Sequence, residues 1–71
     1  MGNMKMLRSK IDETGITIVA LAAKCGITRE SLYNKLEGKS EFKASEIHAI
    51  TCALNLKKSE RDKIFFTFKS E

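Results

Sequence analysis

Between Arg29 and Glu37, four polar side chains are spaced so that a helix gathers them along one edge. With Leu32 and Leu36 facing inward, about 100° of rotation per residue sets Glu30 and Asn34 on the outward face. Tyr33 then lies on the shoulder of that face and Arg29 at its leading end. The hydrogen-bonding groups of this set match the edges of nucleobases. An arginine fork donates two bonds to guanine O6 and N7, asparagine pairs with adenine N6 and N7, and glutamate accepts from cytosine N4. Each good bidentate contact is worth about 1–3 kcal/mol of discrimination. Tyr33 can lay its ring on a thymine methyl or bond a phosphate. The plainer alternative is the solvated face of an ordinary helix. For Glu30 there is a further one, support of the helix start or pairing with Arg29.

The elements that must hold these residues follow from punctuation and periodicity. Proline is absent and glycine numbers only four, which favours helices over a turn-rich β fold. Met4, Leu7 and Ile11 step by three and four, predicting a first helix over 4–14 that Gly15 stops. Thr17 offers a cap to a second helix through Ile18, Val19, Leu21 and Ala22 toward Lys24, ended by Gly26. Thr28 caps a third over about 29–37, closed by Gly38. A polar loop carries Phe42 as an inward plug. A fourth helix over 44–54 ends at Asn55, and a fifth runs from Lys58 to Phe68. The expected architecture is an all-α, compact five-helix bundle forming a single domain over 1–71, with residues 1–3 frayed. Its expected core is Leu7, Ile11, Val19, Leu21, Ala22, Cys25, Ile27, Leu32, Leu36, Ile47, Ile50, Leu54, Ile64 and Phe68.

The second and third helices make the most specific feature. Ala22 is small where two helices would cross, Gly26 supplies positive φ for a tight turn, and Leu21, Ile27, Leu32 and Leu36 supply buried sides. The pattern Leu21-Ala22-x-x-x-Gly26-Ile27-Thr28-x-x-x-Leu32-x-x-x-Leu36-x-Gly38 resembles the helix-turn-helix of the phage repressor/Cro family, also called the XRE family. The motif occupies about 17–38, and the resemblance extends over nearly the whole chain. It implies a DNA-binding transcription regulator whose third helix enters the major groove, with Arg29, Glu30, Tyr33 and Asn34 reading bases. It implies phosphate contacts from Thr17 and Thr28 at the helix starts, from Lys39 and Lys43 in the loop, and from Lys35 on the flank. Where the family often carries a glutamine, this chain has Ile18. Anchoring at the second helix then falls to Thr17 and the free backbone amides. The resemblance also implies a homodimer on a pseudo-palindromic operator, with half-sites roughly 34 Å apart. Phe65 and Phe66 are the candidates for its interface, because Phe66 points about 160–200° away from Ile64 and Phe68; the alternative is a loosely packed tail folding over the bundle. The alternative is a protein-interaction module, antitoxin- or antirepressor-like, on the same scaffold without specific DNA readout.

Composition agrees with these expectations and removes others. The 71 residues carry 13 lysines and arginines against 9 acidic residues, a net charge of +4, and the pI is near 9.3. That meets the first criterion for a nucleic-acid binder. A chain of this size buries only about 60% of its unfolded surface, too little to enclose a catalytic cleft. It has one histidine and no glycine-rich phosphate loop, so no enzyme and no cofactor are expected. Cys25 and Cys52 are too few for a disulfide framework, and no apolar signal segment precedes them, which points to a reducing cytoplasm and the nucleoid. Gly2 lacks the Ser or Thr that a myristoylation signal places where Met6 stands, so no lipid anchor is read. Cys25 is expected to pack as a small apolar side chain. His48 and Cys52, four apart, are two ligands, and no metal site is expected from them alone.

Overall fold

The computed structural model describes residues 3–66, and every regular element among them is a helix. These are α1 (Met4–Thr14), α2 (Ile18–Cys25), α3 (Arg29–Leu36), α4 (Ala44–Ala53) and α5 (Lys58–Phe65). None is long and apolar enough to cross a membrane. The starts of the first three are set by side-chain caps. Asn3 Oδ1 accepts from the Met6 amide at 3.1 Å, Thr17 Oγ1 from Ala20 at 3.0 Å and Thr28 Oγ1 from Ser31 at 3.0 Å. Each satisfies one amide that has no partner inside its helix.

The tightest stops are left-handed residues. Gly26 has φ +73°, and beyond it the Ile27 amide returns to the Ala22 carbonyl at 3.0 Å. An L side chain meets a steric cost there that glycine does not. Asn55 takes the same role after α4 with φ +54°, and the Leu56 amide returns to Thr51 at 2.9 Å. Because Gly26 reverses the chain so tightly, only Ile27 and Thr28 intervene before α3 begins.

Each helix sends one aliphatic side chain to full burial: Leu7, Leu21, Leu32, Ile50 and Ile64. Around them pack Ile11, Ala22, Leu36, Leu54 and Leu56. Helix α2 lies against both α3 and α4, while α1 lies against α5. The Asn3 amide donates to the Ile64 carbonyl at 2.6 Å, tying the start of α1 to α5.

The core expectation needs correction. Val19 is 59% exposed, not buried, because Leu21 and Ala22 fix which side of α2 faces inward and Val19 falls off it. Cys25, Ile27 and Ile47 are half-buried, and Leu56 joins the core instead. Phe68 lies outside the described residues. Phe42 plugs inward as expected, meeting Phe65 edge-on with ring centroids 5.4 Å apart. The Cys25 thiol points at the Glu46 carbonyl, 3.9 Å away, and burial pushes its pKa up.

Two expected outcomes follow from this packing. Leu21→Ala should cost about 3 kcal/mol, as buried leucines do, whereas Val19→Ala should change stability by less than about 0.5 kcal/mol. Urea unfolding followed by circular dichroism measures both.

The second concerns Lys10 and Glu60, which pair across α1 and α5. The hydrogen bond from Lys10 holds the Glu60 carboxyl below its ordinary 4.5, and the same bond raises Lys10 above 10.5. A lowered carboxyl contributes stability above its unfolded pKa and loses it as pH falls through the folded value. The raised ammonium contributes below 10.5 and loses its share as pH rises through its folded value. Glu60→Gln should therefore lower the urea midpoint at neutral pH. Its difference from the wild type should vanish once the pH is well under 4.5.

Candidate nucleic-acid interface

The polar edge of α3 is open to solvent. Arg29 and Glu30 are exposed, Tyr33 is 41% exposed, and Asn34 is half-buried with part of its side chain accessible. Leu32 and Leu36 are buried, which fixes the rotation of the helix and places the four polar residues on its accessible side. Arginine, carboxylate, phenol and amide are thus displayed by one rigid element, pinned at its start by the Thr28 cap.

The start of α2 belongs to the same surface. Thr17 and Ile18 line one shallow depression with Tyr33 of α3 and with Arg8 and Asp12 of α1. The Thr17 hydroxyl accepts from Ala20, and its own proton stays available to an incoming anion. The first amides of α2 and the dipole they terminate favour negative charge at that spot. Thr28 is exposed and caps α3 in the same way, its hydroxyl oxygen accepting from the Ser31 amide.

Loop residues 37–43 follow α3. Lys39 and Lys43 are exposed. Lys39 is not bare, because its ammonium lies 3.4 Å from the Glu37 carboxylate at the surface. A pair that open to water is weak and yields readily to a stronger anion.

Lys35 departs from its expected role. It is buried, with its ammonium 3.4 Å from Glu46 Oε1 and donating to the Glu41 carbonyl at 2.9 Å. The Phe42 ring centroid lies 5.9 Å from the same nitrogen. Lys35 stands three residues after Leu32, on the inward stripe of α3, so its charge points into the bundle and reaches no external phosphate. Glu46 Oε1 also accepts from the Lys43 amide at 2.9 Å, which starts α4. One buried carboxylate therefore joins α3, the loop and α4. The role of Lys35 and Glu46 is to hold the segment that presents Lys39 and Lys43.

The aromatic pair divides. Phe65 is half-buried against Phe42, while Phe66 is 40% exposed with the Arg61 guanidinium 5.7 Å from its ring centroid. Helix α5 stops at Phe65, short of the expected end at Phe68. No group of three potential metal ligands occurs among the described residues.

Three residues that form or support this surface do not belong to the expected set. Arg8 does so only because α1 docks beside Thr17 and Tyr33, a tertiary fact without a local signal. Glu37 is legible as the carboxylate two residues before Lys39. Glu46 carries a helix-start signal, an acidic residue in the first turn of α4, but its partner on α3 is eleven positions away.

Comparison with protein-family models, with curated proteins and with solved structures finds no match for this chain.

Removing one partner of the buried pair leaves the other charge without compensation. Glu46→Ala should cost about 3–5 kcal/mol, a large part of the stability of so small a domain. The double substitution Lys35→Met with Glu46→Leu should restore much of that loss, since matched apolar side chains often replace a buried pair at little cost. Comparative urea melts of the three proteins report both effects.

Proposed function

We propose that this chain binds double-stranded DNA sequence-specifically as a small helix-turn-helix regulator of the repressor/Cro type, with α3 in the major groove and no catalytic step. The observation that carries the reading is the shared surface of α2 and α3. Four polar side chains with base-pairing capacity line the exposed edge of one helix, and Tyr33 among them shares a depression with the capped, anion-favouring start of the other. A net charge of +4 adds a sequence-independent attraction to the phosphate backbone.

In this mechanism Arg29 and Asn34 read purines, Tyr33 packs on a thymine methyl or bonds a phosphate, and Glu30 accepts from cytosine N4. Thr17, Thr28, Lys39 and Lys43 grip the backbone and set the register, and Arg8 is placed to join them. Two copies on a pseudo-palindromic operator would multiply contacts that a single module cannot supply. The exposed Phe66 offers an apolar side chain for their contact.

The two roles separate by mutation. In mobility-shift assays, Asn34→Ala should weaken binding to a selected operator about 10-fold or more while leaving random-sequence binding nearly unchanged. Lys39→Ala should weaken both alike and reduce the salt slope by about one. Equal losses from the two substitutions would remove this division of labour. No binding to any duplex at low salt would favour an interaction module on the same scaffold.

A further inference from the structure

The side chains of His48 and Cys52 lie together on α4, away from the α3 edge. Both residues are exposed. Cys52 Sγ and His48 Nε2 are 3.8 Å apart, one helical turn separating their backbones. Zinc holds thiolate sulfur at about 2.3 Å and imidazole nitrogen at about 2.0–2.1 Å, so the edge joining them in a tetrahedral site is about 3.6 Å. The pair already stands within a few tenths of an ångström of that span. The same separation also suits a weak thiol–imidazole hydrogen bond, which metal binding would replace.

One chain supplies only half a coordination shell, since no third ligand joins the pair among the described residues. A tetrahedral ion needs two more donors, and a second copy related by a two-fold axis supplies an identical thiolate and imidazole. The face beside His48 offers apolar side chains to such a contact. His48 lines one depression with Ile47, with Phe66, which is 40% exposed, and with Arg61, whose guanidinium lies over the Phe66 ring. Thr51, which lines the same depression, donates to the Ile47 carbonyl at 2.7 Å.

We propose that His48 and Cys52 form half of an intersubunit zinc site that joins two copies of this chain through α4. On binding, each Cys52 thiol releases its proton to solvent and each His48 contributes a neutral imidazole nitrogen, giving a two-sulfur, two-nitrogen shell. No redox change occurs. The inference stands apart from DNA binding, because neither the ligands nor the ion touches the α3 edge.

The test uses metal-free full-length chain in a non-chelating phosphine reductant, titrated first with Co2+ as a spectroscopic probe and then with Zn2+. Saturation should occur at one ion per two chains, with a thiolate-to-cobalt charge-transfer band and the visible bands of a tetrahedral ion. The sedimenting mass should double from 8.0 kDa. Zn2+ should displace the cobalt while keeping the doubled mass. Cys52→Ser and His48→Ala should each abolish both signals without changing the helical circular dichroism, both side chains being exposed. Saturation at one ion per chain with unchanged mass, absence of the thiolate band, or a dimer indifferent to chelator and to both substitutions would overturn the proposal. No nucleic acid enters this experiment, so its failure is distinct from a failure to bind DNA.

Discussion

A lysine and a glutamate removed from water together hold this small bundle in register. Neither Lys35 nor Glu46 can be buried alone, because an isolated charge in a low-dielectric interior costs several kcal/mol. Together they join α3 to α4, and each has one further partner, the Glu41 carbonyl for Lys35 and the Lys43 amide for Glu46. The loop between these helices is therefore fixed at two backbone points, with Lys39 displayed ahead of them. Hydrophobic burial gives the bundle its cohesion, one aliphatic residue per helix at full burial, but it is less directional than a shared carboxylate. The orientation of the α3 edge relative to the loop cations depends on this interaction.

Local signals are legible in the amino-acid sequence itself. Thr17, Thr28, Gly26 and Asn55 act through hydrogen bonds and backbone angles within a few residues of themselves, so their roles show in the order of residues. The outward face of α3 is readable for the same reason, since two leucines four apart fix a helix's rotation. Local pattern is silent elsewhere. Helix α2 is apolar nearly all round, so periodicity does not decide that Val19 faces out. Lys35 reads as a surface cation by its type, and only its position three residues after Leu32 argues otherwise. Glu46, the partner that makes its burial tolerable, is visible only once α3 and α4 meet. Arg8 enters the candidate surface through the docking of α1, which no short pattern announces.

The division of the surface is consistent with two separate tasks. One side combines helix starts, exposed cations and base-competent polar groups, with Glu30, Glu37 and Asp12 as opposing charges that limit indiscriminate attraction to polyanions. The other combines Phe66, Ile47 and the His48–Cys52 pair with the Arg61 guanidinium that lies against Phe66. The Phe42–Phe65 contact lies beside the second surface and beside Lys35, so the loop that bears Lys39 and Lys43 also backs the aromatic patch. Cys25 and Cys52 differ for a related reason: one thiol is pushed up in pKa by burial near Glu46, the other stands at the surface as an exposed free cysteine.

The central claim is that the exposed edge of α3, with the start of α2, is the surface that meets DNA. Amide chemical-shift mapping of the 15N-labelled chain titrated with short duplex at low salt addresses it residue by residue. The largest shifts should fall on Thr17 to Ala20, on Thr28 to Asn34 and on Lys39, leaving His48 and Cys52 unmoved. Shifts concentrated on α4 and α5, or none at any duplex concentration, would contradict it.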